Sequence, residues 1–141
     1  MSKSPDWRSA TAPSLAEFES LAAEARQSLP SQFRRMCEDV LVRVEDFPTD
    51  EVLDALDVES EFDLLGLYQG ISIDRKSVMD APLAPDMVFL YRRPILDYWA
   101  EHEETLGHII AHVLIHEIGH HFGLSDADME TIEAAAGASR A

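Results

Sequence analysis

Apolar positions recur at helical intervals behind Ser14-Leu-Ala-Glu17: Leu15, Phe18, Leu21, Ala22 and Ala25. The Ser and Glu stand at capping-box spacing, and Leu29-Pro30 ends the run, so an amphipathic helix is expected from Ser14. A short helix carrying Phe33, Met36 and Cys37 should lead into Val40-Leu-Val-Arg-Val44, whose β-branched alternation reads as a strand closed by Pro48. Leu64-Leu-Gly-Leu-Tyr68 and Gly70-Ile-Ser-Ile73 look like strand material. Gly66 and Gly70 there suit a bulge or a close backbone approach. Arg75 to Asp86, with Pro82 and Pro85, reads as a surface loop. Met87-Val-Phe-Leu-Tyr91 is the best strand of the second half, and Pro94 opens a helical stretch with Ile95, Leu96 and Trp99. From Leu106 the pattern changes again: Ile109, Ile110, Val113, Leu114 and Ile118 make a helix apolar on more than one face, hence central and buried.

The first 13 residues are Ser-, Pro- and Ala-rich without periodicity and read as a flexible tail, leaving 14–141 as one domain. At 141 residues the chain can bury a core without disulfides, and Cys37, its only cysteine, reads as a small buried hydrophobe. No signal-peptide core and no membrane-length apolar run are visible, so a cytoplasmic protein without membrane contact is expected.

The charge narrows the partners. Asp+Glu number 27 against 11 Lys+Arg, a formal net of −16, which repels nucleic acid. Glu38 to Asp63 holds eleven acidic residues and one basic residue, Arg43, a net of −10. The plain reading is a solvated face; the functional one is a surface for a basic protein partner.

The chemistry lies in His116-Glu117-Ile118-Gly119-His120, an H-E-x-x-H motif. Residues four apart on a helix stand about 5–6 Å apart at Cβ, so two imidazoles can converge on one tetrahedral zinc ion. Glu117 points about 100° away from His116, where a carboxylate can act as base without being a ligand. Gly123 and Asp126 follow at three and six residues beyond His120, an extension that drops the chance rate of the motif to roughly 10⁻⁴. A helix would carry position 126 about 9 Å along its axis, so the chain must turn back, and Gly123 suits the left-handed residue that ends the helix. Ser125-x-x-Asp128 then opens another helix with Asp126 in its first turn, where the helix dipole favours a carboxylate. Asp126 is the third ligand the spacing favours, with Glu130 and Glu133 as competitors. His108 is about 18 Å from His120 along the axis and reads as partly exposed. His112 reads as a packed histidine or one supporting the ligands, and His121 as structural. A His-rich buried helix without metal is the bland alternative, but it would leave several polar groups in need of other partners.

Over roughly residues 15 to 135 the sequence resembles the zincin superfamily of metallopeptidases, and within it small bacterial minimal-metalloprotease domains. The resemblance is carried by His116-Glu-Ile-Gly-His-His-Phe-Gly-Leu-Ser-Asp126, with Leu29-Pro-x-x-Phe33, Val44-Glu-Asp-Phe-Pro48 and Leu64-Leu-Gly-Leu-Tyr-Gln-Gly70 in support. It implies an α+β fold with a small twisted sheet over the active-site helix and flanking helices. It also implies one zinc per chain on His116, His120 and Asp126, with Glu117 as general base in hydrolysis of a peptide or protein substrate. An edge strand that pairs with extended substrate is implied too, and Met87 to Tyr91 is its candidate by position. Metzincins have His where this chain has Asp126, and Met129 is too close to serve as their Met-turn. Tyr68, Tyr91 and Tyr98 all remain candidates for stabilising the oxyanion. The competing functional class is a zinc-stabilised interaction module with weak or no catalysis, binding a basic partner through the acidic surface. Against it, no Cys or spare ligand is evident to close a fourth metal position.

Overall fold

The computed structural model describes residues 6–70 and 86–140, with side chains through 136. The helix behind Ser14, α1 (Leu15–Gln27), forms because its capping box is complete: Ser14 Oγ accepts from the Glu17 N–H at 3.1 Å, and Glu17 accepts from the Ser14 N–H at 2.9 Å. It buries Phe18, Ala22 and Ala25. Helix α2 (Ser31–Met36) buries Phe33 and hands over at Cys37 to β1 (Leu41–Glu45). Arg26 ties α1 to this junction by donating to the carbonyls of Val40, at 2.6 Å, and Cys37. Helix α3 (Asp50–Leu56) buries no residue and stands in the acidic segment facing water. Strand β2 (Gly66–Gln69) precedes β3 (Met87–Tyr91), which runs directly into α4 (Arg92–Glu101); Pro94 sits in its first turn. Helix α5 (Leu106–His121), capped by Thr105, is followed by α6 (Asp126–Arg140).

The architecture is α+β. Three strands form one mixed sheet in the order β1-β3-β2, with β1 parallel to β3 (Val44 opposite Leu90) and β2 antiparallel to it (Leu67 opposite Phe89). The expectation that Met87 to Tyr91 is the substrate-pairing edge strand is therefore wrong. Both of its edges are occupied, by β1 and β2, while Val88 and Leu90 on one face are fully buried. Among the described residues β1 and β2 are the edges.

Helix α5 is the central element, packed against α1, α4, α6, β2 and β3. Eight of its residues are buried, from Ile109 to Gly119, and with Phe18, Val88, Leu90 and Ile95 they form the core. Cys37 is wholly buried there as well. Within the reading of a flexible tail, residues 1–5 lie outside the described residues. Residues 6–13 hold one turn, Ser9 N–H to Asp6 O at 3.1 Å, and Pro13 O accepts from Arg92 Nε at 2.6 Å. The readings of 71–73 as strand and of 75–85 as loop also lie outside the described residues. No helix among the described residues is long and apolar enough to cross a membrane.

Candidate metal centre

Every group of the H-E-x-x-H motif stands on the last two turns of α5. The helix stops where a polar turn can replace its hydrogen bonds: Leu124 N–H reaches Gly119 O at 2.9 Å, and Gly123 N–H reaches His120 O at 3.1 Å. This is the Schellman arrangement, and Gly123 supplies its left-handed residue at φ 76°. Ser125 and Asp128 then cap α6 reciprocally, at 3.1 and 3.2 Å. The reversal expected from Gly123 thus exists, and it makes Asp126 the first residue of α6, exposed to solvent.

Two close approaches fix the frame around the motif. A Cβ on Gly119 would lie 2.6 Å from Met129 Sδ, so this glycine lets α6 seat a fully buried Met129 against α5. A Cβ on Gly66 would lie 2.5 Å from Val113 Cγ1 and 3.6 Å from Glu117 Cγ, so β2 crosses directly above the helix at Glu117. The close approach expected at Gly66 is what the strand uses.

Glu117 is half-buried beneath β2 and accepts a hydrogen bond from the Tyr68 backbone N–H. Burial pushes its carboxyl above the ordinary carboxylate range, while that N–H and nearby His120 pull the other way. His116 is half-buried and His120 exposed; their rings lie 6.0 Å apart, tilted by 60°. Two imidazoles on one tetrahedral zinc, with bonds of about 2.0–2.1 Å, put their ring centres roughly 5.2 Å apart, so this pair stands somewhat wider than a shared ion requires and needs a side-chain rotation to meet on one.

Among the described residues, the donors that lie together are a different set. His112, His116 and Glu133 each offer a ligand atom, all within 4.8 Å of one another. Glu133 Oε1 is 2.6 Å from His112 Nδ1, and its Oε2 is 3.3 Å from His116 Nε2. His112 and His116 stack at 4.0 Å. His120 and Asp126 are outside this cluster. His112 is half-exposed and bound to a carboxylate, so the reading of it as a packed residue does not hold; through Glu133 it is joined to His116. The spacing could have exposed the pairing: His112 precedes His116 by one turn, and Glu133 follows Asp126 by seven residues, two turns along the same face of α6.

The remaining histidines keep to the readings made for them. His108 is half-exposed beside Glu104 at 3.8 Å, and His121 stacks on Tyr68 at 3.9 Å. Of the tyrosines, Tyr68 donates its hydroxyl to Asp86 at 3.0 Å, and burial and that carboxylate hold its pKa well up. Tyr91 is buried, its pKa pushed up to about 12 by desolvation first and by Glu45 and Glu117 next. Tyr98 lines a cavity of about 200 Å³ with Leu65, Glu104, Ile109, His112 and Val113.

The domain is α+β, its central helix carrying the H-E-x-x-H glutamate beneath a strand and two imidazoles that meet a carboxylate of the following helix. The family model for zincin-like metallopeptidases matches residues 37–136, the greater part of the chain, and the protein belongs to that family. A search of the curated proteins finds no match.

Proposed function

We propose that this protein is a zinc-dependent peptidase in which His116, His120 and Asp126 hold the ion and Glu117 is the general base. The donor types suit zinc: two imidazoles one turn apart and a carboxylate, Asp126, on the first turn of the helix that follows the Gly123 reversal. Zinc bound there would supply Lewis-acid polarisation of the scissile carbonyl and make water acidic enough to ionise near neutral pH.

The observation that carries the reading is the setting of Glu117. It lies one residue from His116 and three from His120, half-buried under Gly66. Its raised pKa makes it a stronger base than a solvated carboxylate. Glu117 takes the proton from the attacking water and delivers it to the leaving amine nitrogen. Strand β2, which crosses above Glu117 at an edge of the described sheet, replaces β3 as the strand beside which an extended peptide is held.

Metal content tests the ligand assignment. Protein purified without added metal should hold about one zinc per chain, and His116→Ala/His120→Ala should hold none. Equal zinc in both proteins would refute the assignment.

The interaction-module reading has one observation in its favour: α3 and its acidic neighbours face solvent. Charge reversal across residues 50–63 that leaves every captured partner in place would remove it.

A further inference from the structure

Beside the donor set of the proposed function, the helix pair α5/α6 brings His112, His116 and Glu133 together. We infer that His112, His116 and Glu133 form a second position for the same kind of ion, a borderline divalent cation such as zinc or cobalt(II), one helical turn from the first and sharing His116 with it. The inference rests on the proposed function for the location of the first position only.

Four observations carry it. The three donor atoms are already within 4.8 Å of one another, on two helices whose spacing is fixed by the buried contact of Met129 at Gly119. The separation of Glu133 Oε2 from His116 Nε2, 3.3 Å, matches the edge of a tetrahedron with bonds of about 2.0–2.1 Å, so an ion can replace this contact without moving either helix. His112 is one turn from His116, the same interval that relates His116 to His120. Finally, access is graded: the Glu133 side chain is 17% exposed, His116 25% and His112 48%, so the cluster opens to solvent on the His112 side.

Because His116 is common to both sets, and the nitrogen facing Glu133 takes one ion at a time, a chain holds one ion in either position. Without metal, Glu133 occupies both histidines; with metal in the first position, it still bonds His112. The second position is a solvent-side station for the ion, away from His120.

Cobalt(II) titration of the full chain, read by visible absorption and by metal per chain after gel filtration, tests this. His120→Ala/Asp126→Ala removes the first position and alters only exposed side chains. It should retain about one ion per chain, and adding Glu133→Gln, an isosteric change, should abolish binding. Should the double variant not fold by circular dichroism, the single His120→Ala gives the same reading. A folded variant lacking His120 that binds no cobalt would overturn the inference. If that happens while wild type and His112→Ala/Glu133→Gln bind equally, the proposed function stands alone. If instead the variant lacking His120 binds like wild type and His112→Ala/Glu133→Gln binds none, the inference stands and the His120/Asp126 assignment fails. No binding by any of the proteins would overturn both.

Discussion

Gly66 lies directly over Glu117: a Cβ at Gly66 would stand 3.6 Å from Glu117 Cγ and, more severely, 2.5 Å from Val113 Cγ1 and 3.0 Å from the Phe89 carbonyl oxygen. Two of these neighbours cannot retreat, since Val113 is buried in the central helix and Phe89 O belongs to the middle strand. Gly66→Ala should therefore lift β2 and lose about 1–3 kcal/mol of stability. The Tyr68 N–H moves with the strand, so peptidase activity should fall further than the folded fraction does. Urea denaturation beside an activity assay checks this; an unchanged midpoint would mean that the strand is not seated as described.

Gly119 and Met129 make the corresponding contact on the other side of the helix. Alanine at Gly119 gains up to about 1 kcal/mol in helix propensity but meets a buried sulfur at 2.6 Å, and overpacking of about 1–3 kcal/mol outweighs the gain. Met129→Ala alone should cost about 2–5 kcal/mol by leaving a cavity. Together the two changes should cost less than their sum, because each relieves the other. Additive losses in a double-mutant cycle would contradict direct contact.

The environment of Glu117 has a cost in stability whose sign can be worked out. Its folded pKa is raised above the ordinary 4.5, so below that pH both states are protonated and the group is neutral in the balance. As pH rises through 4.5 and then through the folded value, the unfolded chain ionises first and the fold loses stability. In chelator, Glu117→Gln should therefore melt above wild type at about pH 7, with the gap closing below about pH 4. Identical melting at both pH values would show that burial does not strain the carboxylate.

Cys37 offers a check on the core at the far end of α1. Burial pushes its thiol pKa up, with Arg26 opposing only in part. Native protein at about pH 8 should resist a thiol reagent that labels it fully in denaturant. Rapid labelling of the native chain would place Cys37 at the surface.

Local signals were legible in the sequence and non-local ones were not. The Ser14 box, the apolar helix from Leu106, the Gly123 reversal and the Ser125 cap each depend on groups within a few residues of one another, and each stands where the spacing put it. Strand order depends on pairing across more than 40 residues, from β1 to β3, and position in the chain was a poor guide to it. The continuous apolar run Met87 to Tyr91 was the available signal that this strand is interior to the sheet, paired at both edges. The placement of His116, Glu117 and His120 together on the last two turns of α5 follows from local spacing alone. The meeting of Glu133 with His112 and His116 needed the packing of α6 on α5, which Gly119 and Met129 decide.

The most direct measurement compares cleavage of a peptide library by zinc-loaded wild type and zinc-loaded Glu117→Ala, with zinc per chain determined for both. Equal zinc, with cleavage by wild type only, is the expected result. Cleavage by Glu117→Ala at the wild-type rate would contradict the role of Glu117 and with it the proposed peptidase mechanism.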